Sequence, residues 1–261
     1  TEAVTELFCD DGFCIVPFNE KADFYIINTC SVTSMSDRKS RQIIRRAKKT
    51  NPDSVIAVMG CYSQTAPDEV LDIDGVNLVL GTKDKGSILN LIKTLDKSSK
   101  LNAVTSVKDN HTYEDLTVKR THERTRAYIK IQDGCSQFCS YCIIPYARGP
   151  VRSRCKKEVV DEIKNLADAG YREIVLTGIH VASYGKDLEN TSLAELLCEA
   201  DKIEGIERIR LSSIEPMTLN SDFVDAIKGC KKLCPHFHIS LQSGCDATLK
   251  RMNRHYTTAQ F

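Results

Sequence analysis

Apolar positions along the chain fall into two recurring patterns. Continuous apolar runs at 24–28 (FYIIN) and 55–59 (VIAVM), with a shorter one at 77–80, predict strands covered on both faces, as in a parallel sheet. Segments 36–49 and 86–95 predict helices between and after them. Ahead of the first run, Val4, Leu7 and Phe8 fall at i, i+3 and i+4, predicting an opening helix that stops at Gly12. Strand and helix alternate, so the first part predicts an open parallel α/β sheet.

After residue 97 the periodicity is lost. Residues 98–125, rich in Lys, Asp, Asn and Thr, predict a linker with an edge strand near 103–107. A second βα series follows, with strands at 127–132, 173–176, 208–211 and 236–241. Its helices are expected at 157–169, 192–201 and 222–228, with another starting near 247–252. Four units do not close a barrel, which takes about eight. The expected organisation is an N-terminal α/β domain over 1–97 and an incomplete (β/α) barrel over 126–261. The chain opens within a helix and stops at Phe261 as another begins, so it reads as an internal piece of a longer protein.

At 261 residues and 41% hydrophobic, the chain can bury a core or two. No charged, apolar, small-residue leader opens it, and no apolar run approaches the roughly 18 residues of a membrane helix. The compartment this implies is the reducing cytosol, where a surplus of cysteine (twelve here) points to metal or catalysis. The net charge of +1 says little, but its distribution is uneven. The helix at 36–49 carries Arg38, Lys39, Arg41, Arg45, Arg46, Lys48 and Lys49 against Asp37 alone. Arg148, Arg152, Arg154, Lys156 and Lys157 form a second group. Such runs are commonly solvated faces. Two of one sign, each near cysteines, favour a polyanionic partner, with Arg38, Arg41, Arg45, Arg148 and Arg152 as candidate contacts.

The densest chemistry is GCSQFCSYC, which sets Cys135, Cys139 and Cys142 three and then two residues apart. Three thiolates in eight residues suit a [4Fe–4S] cluster with one iron left open. A structural zinc site with Cys155 as fourth ligand is the competing reading, and a disulfide framework a weaker one. Cys30 and Cys61 each follow the carboxyl end of a predicted strand, the edge at which open α/β sheets place ligands. They either face one site or are two small buried hydrophobes.

With Tyr141 before its last cysteine, the triplet resembles the radical S-adenosylmethionine (SAM) enzymes. There the open iron chelates SAM, and reduction of the cluster releases a 5′-deoxyadenosyl radical. Further stretches are ADFYIINTCSVT at 22–33, VMGCYSQ at 58–64 and IQDGCSQFCSYCIIPYARGPVRSR at 131–154. LTGIHVASYG at 176–185, RLSSIEP at 210–216 and HISLQSGCDATLKRMNR at 238–254 complete a resemblance to the methylthiotransferases within that superfamily. The resemblance implies that Cys135, Cys139 and Cys142 hold the radical-generating cluster. It implies that Cys30 and Cys61 are two of three ligands to an auxiliary [4Fe–4S] cluster, the third lying upstream of this chain. Cys9, in the opening helix, and Cys14, starting the next strand, are then structural. Thr177 and Gly178 would grip the amino group of SAM, Gln242, Ser243 and Gly244 its ribose or carboxylate, and Glu215 SAM or substrate. His180 and Tyr184 are weaker candidates.

Members of the family modify tRNA or a ribosomal protein. SDRKSRQ after Cys30, the cluster segment with Tyr146 and Ala147 before Arg148, and GIH at 178–180 resemble the group acting on N6-threonylcarbamoyladenosine beside the tRNA anticodon. The alternatives are the isopentenyladenosine and ribosomal-protein groups, a radical SAM enzyme of other chemistry, or a zinc-binding nucleic-acid module without catalysis. The sequence names neither the sulfur donor nor the electron donor.

Overall fold

The computed structural model describes residues 2–30, 34–114 and 126–261. The 31–33 part of the ADFYIINTCSVT stretch and the 115–125 part of the expected linker lie outside them. The chain divides into two compact units, residues 1–110 with 146–149, and residues 111–145 with 150–261.

In the first unit the order is α1 (Glu2–Asp10), β1 (Phe24–Thr29), α2 (Ser34–Thr50), β2 (Val55–Gly60), α3 (Cys61–Thr65), α4 (Pro67–Leu71), β3 (Val76–Val79), α5 (Ile88–Thr94) and β4 (Leu101–Asn102). The sheet runs β1-β2-β3-β4 and is parallel throughout. Every residue of β2 is buried, which is why its sequence is apolar without alternation. Its two faces feed different cores, because successive side chains point to opposite sides. Ile56 and Val58 pack with Tyr25, Ile27, Ile44 and Ala47 on the α2 side. Ala57 and Met59 pack with Val4, Phe8, Ile88 and Ile92 on the side of α1 and α5. Ser40, Ile44 and Ala47 form the buried stripe of α2, so its charges go outward.

The stretch expected to open the linker instead joins this sheet. Leu101 and Asn102 pair with Leu78 and Val79, a few residues ahead of the expected edge strand, and Val107 is buried. Residues 146–149 also belong here, where the Thr82 hydroxyl donates to the Ala147 carbonyl at 2.6 Å.

The remaining elements are β5 (Ala127–Asp133), α6 (Ile144–Arg148), β6 (Arg152–Ser153), α7 (Lys156–Asp168), β7 (Glu173–Gly178), α8 (Leu193–Asp201), β8 (Arg208–Leu211), α9 (Ser221–Ile227) and α10 (Asp246–Arg251). The second sheet runs β6-β5-β7-β8, with β5, β7 and β8 parallel and the short β6 antiparallel to β5. The strand expected at 236–241 is not a regular one. It makes a single parallel bridge from Ile239 to Ile214, after another from Leu233 to Ile209. Pro235 falls between the two bridges and has no N–H to give a ladder, so the pairing stays discontinuous.

One face of this sheet is covered by α7, through Val159, Ile163 and Leu166, and by α8, through Leu196, Leu197 and Ala200. Ser192 starts α8 with a reciprocal capping box to Glu195. Leu196 is fully buried, so Leu196→Ala removes apolar contact and leaves a cavity. The expected cost is about 2–5 kcal/mol, read as a lower urea midpoint at unchanged slope. No helix among the described residues is long and apolar enough to cross a membrane.

Candidate cluster and cofactor site

The three-cysteine loop leaves the carboxyl end of β5, and buried polar groups set its exit. Gln132 is fully buried and donates from Nε2 to the carbonyls of Asp133 (2.6 Å) and Gly134 (2.7 Å). Its Oε1 accepts the His180 N–H at 2.7 Å, tying the β5 exit to the loop after β7. A Cβ on Gly178 would stand 2.9 Å from that same oxygen, so only glycine lets the two strand ends approach this closely. Asp133 Oδ1 accepts from the Gly134 N–H at 2.8 Å.

Cys135, Cys139 and Cys142 are all half-buried, and the Cys142 N–H donates to the Cys139 carbonyl at 2.9 Å. Burial pushes the Cys135 thiol up; the neighbouring Gln137 N–H opposes this, while Cys139, Cys142 and Glu215 add to it. The three sulfurs and one carboxylate thus share a local field. Among the described residues no group of three or more His, Cys, Asp or Glu side chains is arranged to hold a single metal ion. A zinc site would need its ligands about 2.3 Å from one point. Cluster thiolates bind separate irons and need not converge in that way. Cys155, the fourth ligand of the zinc reading, is exposed at the start of α7.

Glu215, after β8, joins this loop through three partners. Arg254 Nη2 lies 2.5 Å from its Oε1, and His180 Nε2 lies 3.0 Å from its Oε2. The His180 approach is ionic in distance but off the line of a hydrogen bond. Gln137 Nε2, inside the cysteine loop, reaches Oε2 at 3.4 Å. Burial alone would raise the Glu215 carboxyl, but the His180 contact and the charges of His180, Arg254 and Lys186 outweigh it and hold it below the usual range. Arg254 also donates from Nη1 to Cys139 Sγ at 3.2 Å. Neither Arg254 nor Gln132 is marked out by the sequence pattern. The one signal for Arg254 is its place at the end of the HISLQSGCDATLKRMNR stretch.

The other SAM candidates sit as follows. The Thr177 hydroxyl donates to the Ile129 carbonyl at 3.2 Å, which leaves its oxygen lone pairs to accept. Tyr141 is exposed. Gln242 and Gly244 lie in an exposed turn, where the Ser243 N–H donates to the Leu241 carbonyl at 2.8 Å. Tyr184 is buried, and its hydroxyl has no hydrogen-bond partner among the described residues.

In the first unit, parallel register pairs Thr29 with Gly60, and Cys30 and Cys61 follow those two residues directly. They therefore stand at the same end of neighbouring strands, Cys30 exposed and Cys61 buried. Gly60 makes that crossing with a φ of 111°. Cys9 is exposed on α1, and Cys14 is exposed in a loop rather than starting a strand.

The candidate nucleic-acid residues divide. Arg38 and Arg45 are exposed on α2. Arg41 is engaged, donating to the Tyr62 hydroxyl at 2.8 Å and pairing with Glu69 at 3.3 Å. Arg148 is half-buried. Arg152 is no surface contact: its side chain is 4% exposed, beside Asp133 at 3.6 Å and donating to the Pro150 carbonyl at 3.0 Å. A buried guanidinium needs a carboxylate, and Asp133 supplies it. Arg154 is buried likewise, against Glu162 and Glu158.

Residues 1–81 match the profile of Uncharacterized protein family UPF0004. The chain is 46% identical over its whole length to the threonylcarbamoyladenosine tRNA methylthiotransferase MtaB of Bacillus subtilis, of which it covers 58%. It is 38% identical to the Aquifex aeolicus enzyme of the same name, covering 64% of it. It is 36% identical to a tRNA-2-methylthio-N(6)-dimethylallyladenosine synthase of Clostridium botulinum, covering 59%. The chain thus spans about three-fifths of these relatives. Among solved structures, the radical SAM methyltransferase TsrM from Kitasatospora setae superposes with a TM-score of 0.64 at 17% identity, over 99% of this chain and 60% of that one, and so shares its fold. Residues 129–261, about half of the chain and the part that carries the three-cysteine loop, match the profile of the radical SAM superfamily, and the chain belongs to that superfamily.

Proposed function

We propose that this chain is the catalytic core of a tRNA methylthiotransferase, adding a methylthio group to C2 of N6-threonylcarbamoyladenosine at position 37, beside the anticodon. The observation that carries the reading is the loop of Cys135, Cys139 and Cys142 at a strand's carboxyl end, with the Glu215 carboxylate held against it by Arg254 and His180. The names of relatives that match the whole of this chain support the substrate class, and the greater identity to the threonylcarbamoyladenosine enzymes favours that choice within it.

In this reading Cys135, Cys139 and Cys142 hold a [4Fe–4S] cluster, which when bound supplies the electron that cleaves SAM. Glu215, with its negative charge stabilised, faces the cationic end of SAM or a donor group of the substrate. Thr177, whose hydroxyl oxygen remains open to accept, and Gly178 beside it lie at the end of β7, where they would contact the amino group of SAM. Cys30 and Cys61 would hold a second [4Fe–4S] cluster with a ligand from a longer protein, their shared strand-end position supporting this. A cytoplasmic enzyme fits a tRNA substrate.

The test uses the full-length protein, reconstituted anaerobically with iron and sulfide. A brown chromophore, 5′-deoxyadenosine formation and a methylthio mass gain on threonylcarbamoyladenosine-containing tRNA are expected. Methylthiolation confined to isopentenyladenosine tRNA or to a protein would move the substrate assignment. A colourless zinc-loaded protein would end it.

The exposed face of α2 is the proposed tRNA contact. Arg38→Glu with Arg45→Glu should weaken tRNA binding and flatten its salt dependence, each lost phosphate contact lowering the logarithmic slope by roughly 0.7–0.9. Unchanged affinity and slope would return α2 to an ordinary solvated face.

A further inference from the structure

We propose that Met252, Asn253 and Arg254 form a clamp that presets the cysteine loop, and that Arg254 tunes the sulfur of Cys139. The proposal rests on the reading of Cys139 as a cluster ligand and goes beyond it by naming the residues that hold and polarise that ligand.

Three consecutive residues grip four consecutive positions of the loop, 137–140. The Met252 carbonyl accepts the Ser140 N–H at 3.1 Å. Asn253 Nδ2 donates to the carbonyls of Gln137 (3.1 Å) and Phe138 (3.0 Å). Arg254 Nη1 donates to Cys139 Sγ. The geometry that allows this begins in α10, whose end the chain leaves through Asn253 in the left-handed region, φ 55°. The Arg254 N–H closes the turn on the Leu249 carbonyl at 2.9 Å, and Leu249 is buried.

The loop needs such a grip. Phe138 itself has a φ of 48°, in a region that a bulky residue seldom occupies. Its ring is exposed, so burial of the ring is not what holds the backbone there. Asn253 instead takes the carbonyls on both sides of the Phe138 nitrogen and α-carbon, fixing the turn that sets Cys135 and Cys139 apart.

Arg254 adds an electrostatic role. Its side chain is 7% exposed, its guanidinium lies 5.2 Å from the Tyr256 ring centre, and Glu215 holds its other end. Tyr256 is itself fixed by donation to the carbonyls of Ser240 and Leu241. A buried cation donating to a ligand sulfur stabilises negative charge there. A cluster becomes more negative on reduction, so the bond favours the reduced form and raises the potential. Arg254 is thus a positioning residue acting through Cys139, coupled through Glu215 to the site of SAM.

The experiment compares full-length wild type, Arg254→Lys, Arg254→Met, Asn253→Ala and the double variant Arg254→Met with Glu215→Gln, which leaves no buried charge of the pair unpaired. Reconstituted proteins are titrated with dithionite and followed by electron paramagnetic resonance. At equal iron content, Arg254→Met should have a more negative midpoint potential than wild type, with Arg254→Lys between them. In the apo proteins, Asn253→Ala should speed amide exchange at 137–140 while exchange in β7 stays unchanged. If Arg254→Met takes up no iron, the double variant is compared with Glu215→Gln alone, because loss of the Glu215 charge by itself raises the potential. A potential lower in the double variant than in Glu215→Gln supports the proposal, and equal potentials in the two overturn it. Equal potentials in all loaded variants, with unchanged exchange in apo Asn253→Ala, would overturn it outright. A wild type that takes up no iron would instead remove the cluster assignment beneath it.

Discussion

Cys142→Ala is expected to abolish SAM cleavage by the full-length protein, with 5′-deoxyadenosine formation falling a hundredfold or more, about 2.7 kcal/mol or more of lost transition-state stabilisation. The physical reason is local. A cluster with one open iron needs three protein thiolates to keep that iron aimed at one place, and two cannot fix its orientation. The substitution leaves the fold alone, because Cys142 is only half-buried and its N–H bond to Cys139 is made by the backbone. Thermal midpoint should therefore stay near wild type while iron content falls. Cys155→Ala is the companion measurement. Cys155 is exposed, so it should keep both iron and cleavage. Loss of metal in that variant would favour the four-cysteine zinc arrangement, and normal cleavage by Cys142→Ala would overturn the cluster assignment.

Gly60→Val should unfold or severely weaken the first unit, at a cost of roughly 3–5 kcal/mol. Gly60 ends β2 with a φ of 111°, where a β-branched residue is an outlier. A Cβ there would lie 2.3 Å from the Thr29 carbonyl oxygen, 2.7 Å from Asn28 Oδ1 and 2.9 Å from the Thr29 nitrogen. Two of those atoms are backbone in β1, so relief requires parting β1 from β2 at the pair Thr29–Gly60. That pair immediately precedes Cys30 and Cys61, so any metal held between them should be lost with it. Urea denaturation followed by a probe in the first unit checks the claim. A midpoint equal to wild type would show that the strand ends can separate freely, and would remove the argument for a shared site there.

The role of Arg152 shows how a charge pattern misleads. In sequence it belongs to a basic run, and runs of that kind are most often solvated. In the fold it sits opposite Asp133 in the β5–β6 pair, a two-residue antiparallel strand too short to leave a pattern. Burial then selects the ion pair, since an unpaired guanidinium inside would be costly. Arg41, unlike Arg152, stays at the surface, but its guanidinium is engaged there by Tyr62 and Glu69.

Legible features were those whose cause is local. Continuous apolarity marks β2 because a central parallel strand is covered on both faces. The helix expected at 192–201 is found as α8, Leu193–Asp201, because its start is fixed by a cap that closes within four residues. The close spacing of Cys135, Cys139 and Cys142 is a local feature, so the sequence by itself marked the candidate cluster loop and, with the strand ends, the edge on which Cys30 and Cys61 stand. Only the tertiary structure decided what surrounds them. Residues up to 110 belong to the first unit, with Leu101 and Asn102 paired to β3 a few residues ahead of the edge strand expected at 103–107, a position that periodicity cannot fix in a two-residue strand. Arg254 reached Cys139 across 115 residues, and Gln132 met His180 across 48. Such pairings depend on strand order and register, which arise from many weak burial terms acting together, and no local run of residues encodes them.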